Sequence, residues 1–297
     1  MRWGLGVGVI GVIAGMACKT PVSASADADA SAKADANANA NANADANASA
    51  NAKADASVGD DSGVGNGTGS TEREHGPFED PFEGARKVYY VVPRKVGGKH
   101  RLIANLHGVC NPPGYACGYW VEAASKVGFL VCPEGNSRCG GPKGPPTWTE
   151  PVAKMDADLE RAIGVVEEKY PGEMSREGSV LTGFSMGASA AVQIARNHPG
   201  RWPYLVLNEA DVALDVASLR ASGVRAVALI AGEIGSQVAG ERRTAERLAK
   251  QGFPARLWVM KGAGHHYSGD IDTIMAEAIA FVLAEGGDAS ADAAAPR

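Results

Sequence analysis

No stretch of this 297-residue sequence is both long and apolar enough to make a convincing membrane span. A P-loop, a dinucleotide fingerprint and a metal-binding cluster are also missing, so no cofactor and no metal is implied. Net charge is missing where a fold is expected: residues 77–286 carry 23 acidic and 23 basic side chains. That balance gives no electrostatic case for nucleic acid as a partner. Bulky apolar residues are absent from residues 24–56, where every even position is Ala and every odd one Ser, Asp, Asn or Lys. Such alternation cannot form a strand with a buried face. Residues 19–76 therefore read as a disordered spacer that cannot offset its own ordering entropy. The spacer holds nine acidic and four basic residues, which accounts for the chain's −5.

What is present begins with a targeting pattern. Arg2 starts it, residues 3–17 are apolar and Gly-rich, and Ala17-Cys18 ends it. The segment resembles a bacterial lipoprotein signal with Cys18 as the lipidated residue, although Gly15 and Met16 stand where that motif prefers Leu upstream. Two readings follow: a lipid anchor in the cell envelope, or cleavage and secretion. Membrane contact is expected only through that anchor. Either route leads to an oxidising compartment, where Cys110, Cys117, Cys132 and Cys139 are expected as disulfides. Three connectivities are open. Local pairing, 110–117 and 132–139, is the simplest. A metal site is disfavoured because no C-x-x-C pair exists and no His sits at ligand spacing nearby.

From residue 77 short apolar runs alternate with helical patterns, the texture of an α/β domain. Strands are expected at 87–93, 102–106, 129–132, 179–182, 204–207, 226–231 and 256–260. Most lack alternation, as parallel strands covered on both faces do. Helical stripes comprise Met155, Leu159, Ala162, Ile163 and Val166, then Ile271, Ile274, Met275, Ala278, Phe281 and Val282. The expectation is one doubly wound, mostly parallel domain over 77–286 without a large lid, and a fraying tail over 287–297.

Gly183-Phe184-Ser185-Met186-Gly187 lies between an apolar run and a small-residue helical segment. A serine on a sharp strand-to-helix turn needs strained backbone angles, and glycines two residues away relieve crowding around it. Ser185 is therefore a candidate nucleophile, and it needs a base. His265, in Lys261-Gly262-Ala263-Gly264-His265, follows the last expected strand and lies at the same sheet edge. His266 is a weaker candidate, suited to filling space beside Tyr267. His198 ends the helix after Ser185, where a cation meets the helix dipole favourably.

These motifs, with Leu106-His107-Gly108-Val109 upstream, resemble the α/β-hydrolase superfamily over roughly residues 85–285. Within it the chain is similar to compact secreted esterases of the dienelactone-hydrolase and polyhydroxybutyrate-depolymerase type. The resemblance implies an oxyanion hole from the backbone amides of Val109 and Met186, with His107 a structural residue of that loop. A 110–117 disulfide would rigidify the same loop. It also implies a Gly-x-x-Asp acid, but here the fourth position of Gly232-Glu233-Ile234-Gly235 is glycine. Glu233 and Asp211 are the substitutes considered first, with Glu209 and Asp215 behind them. Trp148, Tyr115, Tyr119 and Trp120 either line a pocket or pack under loops. The reading is an exported serine hydrolase cleaving small or polymeric carboxylic esters through an acyl-enzyme. Gly235 keeps open a non-catalytic binding or surface protein, and the same triad would also serve an acyltransferase.

Overall fold

The computed structural model describes residues 73–149 and 151–287. The expected signal, Cys18, the spacer up to residue 72 and the tail from 288 lie outside the described residues.

In chain order the elements are β1 (Phe78–Glu83), β2 (Arg86–Val91), β3 (His100–Leu106), α1 (Pro113–Tyr119), α2 (Val121–Val127) and β4 (Gly128–Pro133). Then come β5 (Ser137–Arg138), β6 (Pro146–Thr147), α3 (Val152–Lys169), β7 (Met174–Phe184), α4 (Met186–Asn197) and β8 (Tyr204–Asn208). The last are α5 (Val216–Ala221), β9 (Ala226–Gly232), α6 (Val238–Lys250), β10 (Ala255–Met260) and α7 (Ile271–Glu285). Eight strands form one sheet in the order β1-β2-β4-β3-β7-β8-β9-β10. The β1–β2 and β2–β4 pairs are antiparallel and the rest parallel. β5 and β6 make a separate short ribbon.

Each strand expected from an apolar run lies in the large sheet, because strands covered on both faces must be apolar throughout. Successive residues point to opposite layers. Val88, Leu102, Ala104 and Leu181 pack with α3, α4 and α6, whereas Val91, Ile103, Leu130 and Val180 pack with α1, α2 and α7. The α3 stripe is fully buried. In α7 the inner position falls to Ile279, and Phe281 stands at the margin against Trp258, ring centroids 5.4 Å apart. β1 has no counterpart among the expected strands. Its sequence, Phe-Glu-Asp-Pro-Phe-Glu, exposes alternate residues, and Pro81 can sit only where a missing N–H is harmless, at a sheet edge. Residues 73–76 extend the ordered body: Arg73 N–H donates to Arg94 O at 3.0 Å, and Val92 N–H to His75 O at 3.0 Å.

Register decides what the sheet presents. Phe184 lies opposite Asn208, Asn208 opposite Ile230, and Gly232 opposite Met260. The residues that follow β7, β8, β9 and β10 therefore emerge side by side at the carboxyl edge.

Candidate active site

Ser185 stands between β7 and α4 with φ 55° and ψ −118°, a backbone conformation that non-glycine residues rarely adopt. The turn is tight enough to explain its glycines. A Cβ on Gly183 would overlap the Gly187 backbone, and one on Gly187 would overlap the Leu106 carbonyl. Gly108 passes so near that a Cβ there would sit 3.2 Å from Ser185 Cβ. Ser185 N–H donates to Asn208 O at 2.8 Å, tying the elbow to the end of the neighbouring strand.

His265 lies within hydrogen-bond distance of Ser185, its Nε2 2.9 Å from Ser185 Oγ. Its Nδ1 is 3.1 Å from Glu209 Oε2. An ionised carboxylate can only accept, so Nδ1 carries the proton and Nε2 keeps a lone pair for the serine O–H. Glu209 immediately follows β8 and its side chain is fully buried. Its other oxygen accepts the Gly232 N–H, and its own N–H donates to Ile230 O at 2.8 Å. The residue sits at φ 55°, a left-handed turn that aims the side chain across the strand ends.

Neither Glu233 nor Asp211, the two acids expected first, is the carboxylate that meets the imidazole. Glu233 is exposed and accepts the Gly262 N–H at 2.9 Å, bracing the base of the histidine loop instead of touching the imidazole. Asp211 is exposed too, and its carboxylate rests on Gly240 at the start of α6. Asp215 caps α5 by accepting the Ser218 N–H at 2.8 Å. Gly235, where an acid was missed, explains the substitution: a Cβ there would lie 3.3 Å from Glu209 Oε2. The carboxylate from β8 reaches the ground that the motif position leaves open.

The other histidines have local partners. His266 Nε2 accepts the Gly264 N–H at 3.3 Å and Nδ1 reaches Tyr267 O at 3.1 Å, so the ring folds onto its own loop. His198, at the end of α4, meets Asp156 Oδ2 at 2.5 Å. His107 is fully buried: Nδ1 donates to Gly108 O at 2.8 Å and Nε2 accepts the Gly135 N–H at 2.9 Å. Burial pushes its pKa down to about 4, against an opposing pull from the Gly108 carbonyl, with Arg138 adding to the depression. A neutral His107 is what both hydrogen bonds require. Trp148 stacks on it, centroids 4.9 Å apart, and donates from Nε1 to His107 O at 3.0 Å. Trp148 is thus the pin between two loops.

The aromatic residues near α1 are also supports. Tyr115 stacks on Tyr267 at 5.1 Å and its hydroxyl accepts the Tyr267 N–H at 3.2 Å. Tyr119 leans on both rings, at 4.4 Å and 6.1 Å. Phe184 bridges Tyr267 and His265, at 5.0 Å and 5.1 Å. Trp120 is fully buried core.

The cysteines pair as 110–139 and 117–132, with Cα separations of 5.6 Å and 6.3 Å. Local pairing, 110–117 and 132–139, is corrected. Depth sorts them: Cys117 on α1 and Cys132 on β4 are buried together, while Cys110 and Cys139 sit half-exposed on loops at the carboxyl edge. The 110–139 bridge therefore joins the Val109 loop to the segment that Trp148 pins. Its closed loop implies a loss of about 2–4 kcal/mol on removal. The double variant Cys110→Ser/Cys139→Ser should unfold about 10 °C lower in a reversible thermal scan. An unchanged midpoint would contradict the bridge.

No protein-family model matches the sequence, and no curated protein matches it. Solved structures do. An S-formylglutathione hydrolase from Agrobacterium tumefaciens is 17% identical over 68% of this chain and 90% of its own, with a TM-score of 0.51. An S-formylglutathione hydrolase from Staphylococcus aureus is 12% identical over 73% and 100%, TM-score 0.52. The feruloyl esterase module from Clostridium thermocellum is 13% identical over 73% and 96%, TM-score 0.53. The chain has the α/β-hydrolase fold. These likenesses reach the fold and do not extend to the dienelactone-hydrolase or depolymerase subtype. Within this α/β-hydrolase fold the carboxylate comes from β8, the strand beside the elbow strand. No local signal in the sequence singles out Glu209, since Glu233 follows β9 just as directly as Glu209 follows β8 and yet is exposed.

Proposed function

We propose that the protein is a serine hydrolase of carboxylic esters, with Ser185 the nucleophile, His265 the general base and acid, and Glu209 the orienting carboxylate. The observation that carries this reading is the continuous hydrogen-bonded line from Ser185 Oγ through His265 to Glu209. Fold-mates named as S-formylglutathione hydrolases and a feruloyl esterase support it by analogy.

Ser185 Oγ attacks the ester carbonyl as His265 Nε2 takes its proton, and Glu209 stabilises the imidazolium formed. The amides of Val109 and Met186 hold the tetrahedral oxyanion. Met186 opens α4, where backbone N–H groups lack partners within the helix, so its amide is free for an anion. Each such donor contributes on the order of 3 kcal/mol to transition-state binding. Collapse passes the proton from His265 to the leaving alcohol and leaves an acyl group on Ser185. Water, activated by the same imidazole, then releases the acid. Val109, on the expected oxyanion loop, and Ile234, whose N–H bonds Ala263 O beside the histidine loop, are both exposed and offer a substrate apolar contacts.

The two cysteine pairs and the signal-like residues 1–18 support action outside the cytoplasm, tethered through Cys18 or secreted. A fluorophosphonate probe tests the chemistry. Wild-type protein is expected to take up one equivalent, located by peptide mapping at Ser185, and prior treatment with a slow ester should block it. Absence of label, or label on another residue, would sink the reading.

A further inference from the structure

Glu241, in the first turn of α6, is a carboxyl that the mechanism above does not use. It is 1% exposed. Its Oε1 accepts the Ala210 N–H at 2.7 Å, and its buried Oε2 has no hydrogen-bond donor among the described residues. No cation among the described residues pairs with it. The charged groups that bear on it are Glu209 and Asp211, both carboxylates on the segment after β8. An ionised Glu241 would thus be a buried, uncompensated anion beside a second anion that catalysis needs charged. Burial raises its pKa to about 9; the Ala210 N–H opposes the rise, and Glu209 and Asp211 add to it.

The position of that hydrogen bond matters. The Ala210 N–H belongs to the peptide plane that leaves Glu209, so holding it fixes the ψ of Glu209. The plane entering Glu209 is held by Ile230 O. Both planes around the left-handed acid are therefore pinned, one by the sheet and one by Glu241.

We propose that Glu241 is a positioning residue for Glu209: its Oε1 clamps the Ala210 peptide and so keeps the Glu209 carboxylate on His265. The proposal rests on the Ser185–His265–Glu209 reading.

The test compares full-length wild type, Glu241→Gln and Glu241→Leu, following kcat and KM on a soluble ester with background hydrolysis subtracted. Glutamine can still accept the Ala210 N–H, so Glu241→Gln should keep kcat within about threefold. Glu241→Leu, which cannot accept, should lower kcat about tenfold with KM unchanged. Should leucine prevent folding, Glu241→Met, closer to glutamate in shape and equally unable to accept, takes its place. Wild-type kcat in the variant that cannot accept, or an equal loss in Glu241→Gln, overturns the proposal. Loss of fluorophosphonate labelling in wild type would instead overturn the triad reading beneath it.

Discussion

Glu209→Gln is expected to lower kcat for ester hydrolysis by about 10,000-fold near neutral pH, with KM little changed. A carboxylate dictates which ring nitrogen of His265 is protonated, whereas an amide can turn its NH2 toward Nδ1. The imidazole then carries its proton on Nε2 and cannot accept from Ser185. Glu233→Gln and Asp211→Asn are the matched controls. Glu233 only accepts the Gly262 N–H, which a glutamine oxygen also does, and Asp211 lies away from the imidazole against α6. Both should stay within about threefold of wild type, since neither change touches the transition state. Wild-type kcat in Glu209→Gln beside a collapse in one control would move the acid to that control's residue, Glu233 after β9 or Asp211 after β8.

Ser185→Ala should cost more, about a millionfold in kcat, leaving only what binding and the oxyanion amides provide. Alanine tolerates φ 55° no better than serine, so the fold should respond little and the loss should be chemical. His265→Ala should fall by a similar factor. Because the two residues act as a unit, the double variant should be hardly worse than either single one. Multiplying losses would mean independent roles and contradict the shared proton transfer.

How much of this was readable from residues alone varies with the physics of each part. The inner strands were readable because burial on both faces forces apolar runs, and Ser179–Thr182 signalled a longer β7. The elbow was readable because steric overlap at Gly183 and Gly187 leaves no other residue there. The partner of His265 was not. Which carboxylate meets it depends on the register of β8 against β7 and on a left-handed turn at a glutamate, neither of which leaves a local pattern. The disulfides failed for a related reason. Spacing along the chain suggested neighbours, whereas pairing followed depth: Cys117 and Cys132 meet inside the molecule, Cys110 and Cys139 at its rim. Strand β1 was hidden by Pro81, a residue that excludes central strands and only tolerates an edge.

Among the described residues, three that are not glycine have positive φ: Cys110, Ser185 and Glu209. One lies on the expected oxyanion loop, one is the proposed nucleophile and one the proposed acid. A left-handed side-chain-bearing residue costs about 1–3 kcal/mol. Robustness and turnover therefore compete at the same three positions. Glycine there would relax the backbone and remove the group that the strain holds in place. Attempts to harden this protein against heat have room on α3, α7 and the outer strands, and almost none along the edge that carries the candidate site.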